Sequence, residues 1–155
     1  MEKQGKDINI IFKPQIGLGN ILFSFQENDI IKMLGTPDER KIDVFNLSES
    51  AIYLYYDEIK IHLSIYYENG KFDHLSIGTE DIVLDSVRFS SSTKDEIIKF
   101  IANYHYKNKI HYLCEYTYAE NINEEEYFFE NIGLTIWFEE NTISDICVQK
   151  SDNVS

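Results

Sequence analysis

The sequence is short of cysteine, of basic residues and of long apolar runs, and each shortage excludes a class of protein. Its 155 residues include only two cysteines, Cys114 and Cys147, whose spacing matches no metal-binding or redox motif. Unpaired thiols are typical of a reducing compartment. The apolar runs are too short to span a membrane, and the polar residues 1–6 lack the apolar segment of a secretory signal. We therefore expect a cytoplasmic protein that does not insert into membranes.

Basic residues are scarce. There are 14 Lys and Arg against 27 Asp and Glu, which gives a formal net charge of −13. Such a surface repels the phosphates of nucleic acids and of anionic lipids, so we expect neither as a partner. No Lys or Arg occurs between Ile110 and Gln149. That window holds nine carboxylates: Glu115, Glu120, Glu124, Glu125, Glu126, Glu130, Glu139, Glu140 and Asp145. A concentrated negative field favours a basic protein partner, whereas plain solubility is the alternative.

The spacings typical of catalytic and cofactor sites are also missing. No two of the four histidines have the i, i+4 spacing of a helical zinc site, and the Gly17-Leu18-Gly19 segment lacks the third glycine of a phosphate loop. His111 and Cys114 would point to opposite faces of a strand. Residues 124–126 would point in different directions with no further metal ligands, so we interpret them as a solvated charged turn. We predict no catalytic residue, metal or cofactor, and no enzyme activity.

What the chain does have is an aromatic-rich, nearly repeated pattern. Its 11 Tyr, 10 Phe and one Trp argue for an ordered core. The helical pattern Asp29-Ile30-Ile31-Lys32 returns as Glu96-Ile97-Ile98-Lys99, and the pattern of residues 55–69 returns at 128–141. Each unit is about 65 to 70 residues long. The repeat predicts two similar units in one domain.

Local signals predict one helix in each unit, followed by strands. The first helix is predicted over 28–34, ended by Gly35, and the second follows Thr93, with Glu96 completing a capping box. Asn69-Gly70 is a strong hairpin signal. Strands are predicted at 21–25, 42–47, 52–56, 59–67, 71–77, 87–89, 112–118, 127–130, 133–139 and 143–148.

These elements lead to one fold prediction. We expect an α+β fold, a tandem duplication of a helix plus a three- or four-stranded antiparallel meander, with one shared sheet and both helices on one face. The single domain, 1–155, comprises repeats at about 17–83 and 84–150, a short N-terminal strand and a frayed C-terminal tail.

Alternation along the predicted strands indicates a candidate binding face. Ile59, Ile61, Leu63 and Ile65 share one face, so His62 and Tyr66 should point away from the helices. The repeat carries the same parity to Trp137. The predicted partner-binding residues are Tyr53, Tyr55, His62, Tyr66, Tyr116, Tyr118, Glu120, Glu124, Glu125, Glu126, Phe128, Trp137, Glu139 and Glu140. Aromatic anchors inside a charged rim are typical of protein interfaces. Cover by the N-terminal segment or burial in a homodimer are the alternatives.

Two family resemblances follow from this layout. A tandem of helix and meander with an aromatic sheet face, over residues 20 to 148, resembles the β-lactamase-inhibitory-protein architecture, which binds its enzyme with such a face. The chain also resembles small acidic bacterial immunity proteins in size, in charge and in the helix stop Leu34-Gly35-Thr36-Pro37-Asp38 before a Tyr-rich meander. Both imply a non-catalytic protein that neutralises a cationic toxin or enzyme domain. An interaction module without a toxin, or a small-ligand domain with a pocket between the sheet and residues 38–50, are the alternatives.

Overall fold

The structure is a computed structural model that describes residues 9–107, 114–118 and 124–151. Its strands, in chain order, are β1 (Phe12–Lys13), β2 (Gly17–Leu18), β3 (Ile21–Leu22), β4 (Glu39–Val44), β5 (Glu49–Tyr56), β6 (Ile61–Glu68), β7 (Lys71–Thr79), β8 (Val83–Leu84), β9 (Val87–Arg88), β10 (Cys114–Tyr118), β11 (Glu124–Phe129), β12 (Leu134–Glu139) and β13 (Thr142–Gln149). The helices are α1 (Glu27–Leu34) and α2 (Lys94–Lys107), with 3₁₀ turns at Phe89–Ser91 and Glu130–Ile132. No helix in these described ranges is long and apolar enough to cross a membrane.

One large antiparallel sheet dominates the fold. It has eight strands in the order β10-β11-β12-β13-β7-β6-β5-β4. Each strand from β4 to β7 pairs with its successor in sequence, as does each strand from β10 to β13. The pairing of β13 with β7 joins the two groups. Two smaller sheets, β1-β2-β3 and β8-β9, stand apart from it.

The end of α1, the start of α2 and the central hairpin form where the sequence predicts them. The N–H of Thr93 donates to Glu96 Oε1 at 2.9 Å, and the N–H of Glu96 donates to Thr93 Oγ1 at 3.2 Å, which confirms the predicted capping box. Helix α1 ends at Gly35, whose φ of 86° suits a residue without Cβ. Asn69 and Gly70 have φ of 52° and 75°, as a tight hairpin turn requires, which confirms the predicted hairpin.

A single row of apolar side chains runs across six strands of the sheet. The paired residues are Leu54, Leu63, Ile77, Val148, Leu134 and Phe129, and all are 0% exposed. Ile30 of α1 and Ile97 and Ile101 of α2 belong to the same buried cluster. This face of the sheet therefore forms the core, and burying its apolar area supplies the main driving force for folding.

The predicted fold class is wrong. Strands make up 50% of the described residues and helices only 20%, so the chain is mostly β and not a two-helix tandem α+β layout. The prediction missed the small sheets, because two-residue strands leave no periodicity in a sequence. It predicted strands at 21–25 and 87–89, ahead of each helix, but assigned them to no sheet of their own, whereas β3 and β9 belong to the small sheets. These small elements add Phe12, Leu18, Ile21, Leu84 and Phe89 to the core. The repeat boundaries at about 17–83 and 84–150 stay a prediction.

Candidate binding face of the sheet

The face of the large sheet opposite the core is lined by aromatic and small side chains. Its central row runs through the paired residues Tyr55, His62, Gly78, Cys147, Thr135 and Phe128. Tyr53, Tyr66 and Trp137 share the parity of this row, because successive side chains of a strand alternate between faces. We call this surface the open face. Its large side chains are half-buried.

The rings of the open face lie over small neighbours. Ala51 and Ser64 are almost fully buried on this face, opposite Tyr66 and Tyr53 in the pairing register. The Tyr66 ring stacks on His74, with centroids 4.4 Å apart and planes 15° apart. Tyr55 stacks on His62 at 6.2 Å and 24°. Stacked rings that cover small residues have few free rotamers, so this surface is preorganised for contact.

Gly78 makes room for one of these rings. A Cβ built on Gly78 would lie 2.0 Å from Cε1 and 2.1 Å from Nε2 of His62. The imidazole therefore occupies the space where any other residue would place its side chain. The glycine fixes the ring flat against the strand, between Tyr55 and the strand that carries Cys147.

Cys147 is a thiol with suppressed reactivity. Burial raises the pKa of the Cys147 thiol to about 11; the Ser76 hydroxyl acts against this shift, and the Asp145 carboxylate adds to it. Ser76 Oγ donates to Gln149 Oε1 at 2.8 Å. A thiolate is the reactive form, so at neutral pH this cysteine is a small, partly polar packing group rather than a nucleophile.

Asp145 lies on the open face beside Trp137. The two residues are paired across β12 and β13. Burial raises the pKa of Asp145, the Ile146 N–H at 2.9 Å and His62 lower it, and Glu80 raises it. A carboxylate that burial disfavours gains by ion-pairing with an incoming cation.

Four further carboxylates lie near Trp137. Glu126 is its register partner on β11, and Glu124 is paired with Glu139. Glu139 is exposed, and Glu140 follows it in the two-residue turn Glu140-Asn141, with φ of 50° and 67°. Of the predicted acidic residues, Glu124, Glu126, Glu139 and Glu140 thus lie on or beside the open face.

Glu125 does not belong to this face. Its Oε2 accepts from Lys94 Nζ of α2 at 2.5 Å and from the Tyr127 hydroxyl at 3.1 Å, on the helix side of the sheet. The predicted charged turn at 124–126 is also wrong, because these residues form part of β11. A regular strand between β10 and β12 sends alternate glutamates to opposite faces. Glu125 therefore stabilises the fold instead of facing a partner.

Some predicted residues lie outside the described part of the structure. They are Glu120 and His111, together with the side chains of Tyr116, Tyr118 and Cys114. His74, Asp145 and Cys147 also lie on the open face, although they were not among the predicted binding residues. The alternation of side chains along β7 and β13 could have indicated them, because each is next in sequence to a buried residue, Leu75 or Ile146, and so points to the opposite face.

A cleft of about 550 Å³ lies away from the open face, at the start of α2. Ser92, Thr93, Lys94 and Asn141 contribute to its walls. Its polar groups already serve the fold, because Thr93 caps α2 and Lys94 binds Glu125. It is not the pocket predicted between the sheet and residues 38–50. Within the described residues, no three His, Cys, Asp or Glu side chains are grouped to hold a metal ion.

No protein-family model matches the chain, and no curated protein or solved structure is significantly similar to it.

Proposed function

We propose that this chain is a non-catalytic protein-binding protein that uses the open face. Its partner is a cationic toxin or enzyme domain, which it neutralises in the cytoplasm as an immunity or inhibitor protein. The observation that carries the proposal is the row of half-exposed, stacked rings bordered by carboxylates around Trp137.

The rings supply the anchors of such an interface. Antiparallel sheets with one solvated face usually alternate apolar and polar side chains, so aromatic residues on the solvated side are surplus to folding. Tyr and Trp dominate binding energy at interfaces because they bury a large area at a low entropy cost. Trp137 and Tyr66 combine partial exposure with support from neighbours on adjacent strands.

The carboxylates supply attraction for a basic partner. Glu126 and Asp145 flank Trp137 on the two adjacent strands. Surface charges of one sign raise the rate of encounter with the opposite charge more than they slow dissociation. The same charges repel the phosphates of nucleic acid and of anionic lipid, so they favour a protein as the class of partner.

The test begins with the purified chain as bait in an extract of its own cells, followed by kinetics with the captured protein. Trp137→Ala should weaken binding roughly 30-fold or more, as an interface anchor does. Ile11→Ala is the matched control, because Ile11 is a 42% exposed apolar residue away from the open face. Co-expression with the captured protein should restore growth if that protein is a toxin.

A charge variant separates steering from anchoring. Glu126→Gln with Glu139→Gln should lower the association rate and flatten its salt dependence, with a smaller effect on dissociation. Asp57→Asn with Glu58→Gln removes the same charge from the turn after β5, where both residues are exposed, and should change little. A captured partner whose affinity ignores both Trp137→Ala and Tyr66→Ala would show that the open face is not the site.

A further inference from the structure

Strand β4 is an exposed edge of the large sheet. All six of its residues are exposed, and among the described strands none lies on its outer side. Ile42 is 59% and Val44 69% exposed. The pairing of β4 with β5 has no register shift, and β4 contains no proline. Bulges and prolines are two of the features that protect edge strands, and β4 has neither. Its protection is its charged side chains, Glu39, Arg40, Lys41 and Asp43, which favour only a partner strand of complementary charge.

The hydrogen-bond pattern fixes which backbone groups of β4 face outward. The Phe45 N–H donates to Glu49 O at 2.9 Å, next to the register pair of Val44 with Ser50. In an antiparallel pair, alternate residues bond to the same neighbour. Residues 39, 41 and 43 therefore bond to β5. The N–H and C=O groups of Arg40, Ile42 and Val44 point away from the sheet.

We propose that β4 pairs with β4 of a second copy of this chain, antiparallel and centred on Ile42. In this register Ile42 faces Ile42, and Arg40 faces Val44 twice, so the outward-pointing groups bond to one another. Between these hydrogen-bonded pairs lie non-hydrogen-bonded pairs, in which Lys41 of each copy is directly opposite Asp43 of the other. Opposite charges directly across from each other stabilise a strand pair.

The neighbouring registers fit less well. Centring the pair on Lys41 or on Asp43 instead of Ile42 still lets the outward-pointing N–H and C=O groups of the two strands bond to one another. It also keeps the faces of the two sheets aligned. One shift places Lys41 against Lys41 and Glu39 against Asp43, and the other places Asp43 against Asp43. Like charges directly opposite each other destabilise a strand pair. The charges of β4 thus select the Ile42-centred register.

The two basic side chains of β4, Arg40 and Lys41, are compatible with this pairing. Arg40 is held by Glu27 of α1, with its Nε and Nη2 both donating to that carboxylate. Lys41 lies on the open side, 3.4 Å from Glu39 and 5.7 Å from the Tyr55 ring centroid. At these distances on an exposed strand it is free to move to the partner's Asp43 at little cost, because exposed ion pairs are weak.

Charge reversal tests the proposal in sedimentation equilibrium of the whole chain. The wild type should be a concentration-dependent dimer. Lys41→Asp alone and Asp43→Lys alone should each weaken dimerisation at least about tenfold, since each creates two like-charge pairs. The double variant Lys41→Asp with Asp43→Lys should restore it. Far-UV circular dichroism should be unchanged throughout, because both positions are exposed.

A cysteine cross-link tests the register. Ile42→Cys should form a 42–42 disulfide on mild oxidation, since directly bonded pairs have Cα atoms about 5.5 Å apart, within disulfide range. Val44→Cys is the control and should form no 44–44 link, because its partner is Arg40. A wild-type monomer up to the solubility limit would overturn the proposal. So would a dimer that withstands both single reversals, or one that fails to give the 42–42 link.

Discussion

The two faces of the large sheet are made by the same strands and have opposite characters. On β6, Leu63 is fully buried, whereas its neighbour His62 is half-exposed and lies flat over Gly78. The core face is a continuous apolar row, and the open face is a row of rings over small residues. Burial of the core face stabilises the fold, whereas the rings of the open face stay partly exposed. A substitution should therefore have very different effects on adjacent residues of one strand.

Truncating the core row should have the largest effect on stability. Leu63→Ala should lower the free energy of unfolding by about 2–5 kcal/mol, because it removes buried methyl groups and leaves a cavity. His62→Ala, one residue away on the open face, should change it by less than about 1 kcal/mol. Urea denaturation followed by Trp137 fluorescence measures both. Equal losses would mean that the open face is as important to folding as the core face.

Filling the space above Gly78 should have an intermediate effect. Gly78→Ala places a methyl group where His62 lies, so we expect a loss of about 1–3 kcal/mol from overpacking. The double variant Gly78→Ala with His62→Ala should recover most of that loss, because the new methyl group then has no imidazole ring to clash with. The coupling is read from the four free energies of unfolding. Additive losses would place the strain in the backbone of β7 instead.

Two carboxylates on opposite sides of the sheet should give small stability changes of opposite sign. The hydrogen bond from Arg40 lowers the pKa of Glu27, against a raising effect of burial, and the Arg40 charge lowers it further. Burial raises the pKa of Asp145. At neutral pH, Glu27→Gln should therefore destabilise the fold and Asp145→Asn should stabilise it, each by less than about 1 kcal/mol.

Both differences should vanish in acid. The contribution of Glu27 is present above its unfolded pKa and is lost as the pH falls through its lower folded value. The cost of ionised Asp145 appears only as the pH rises through its unfolded and then its higher folded pKa, so its removal brings no gain below them. Urea midpoints between pH 3 and 7 measure both trends. Parallel curves for the two variants would contradict the opposite environments of the two groups.

The sequence was sufficient where a local signal determines the structure. The Asn69-Gly70 turn and the Thr93 capping box need only their own residues, and both were predicted. Alternation in the strands likewise gave the parity that Tyr66 and Trp137 show in the pairing register.

The failures come from contacts that are distant in sequence. Three consecutive glutamates have low strand propensity, yet β11 forms because β10 and β12 pair on both of its sides. The Lys94–Glu125 pair spans 31 residues, so no local pattern indicates it. The two-residue strands of the small sheets place Phe12, Leu18 and Leu84 in the core, a tertiary arrangement that no local pattern indicates.

The seam between β7 and β13 has a consequence for synthesis of the chain. Only four register pairs close it, and they join residues about 70 positions apart, such as Ile77 and Val148. Strands β4 to β7 pair with neighbours in sequence, so they are able to form their sheet as soon as they leave the ribosome. Until β13 has been translated, β7 remains a bare edge. The nascent chain therefore passes through a stage in which the unpaired edge of the nine-residue strand β7 is open to any neighbouring polypeptide, and rapid translation of the second half shortens that exposure.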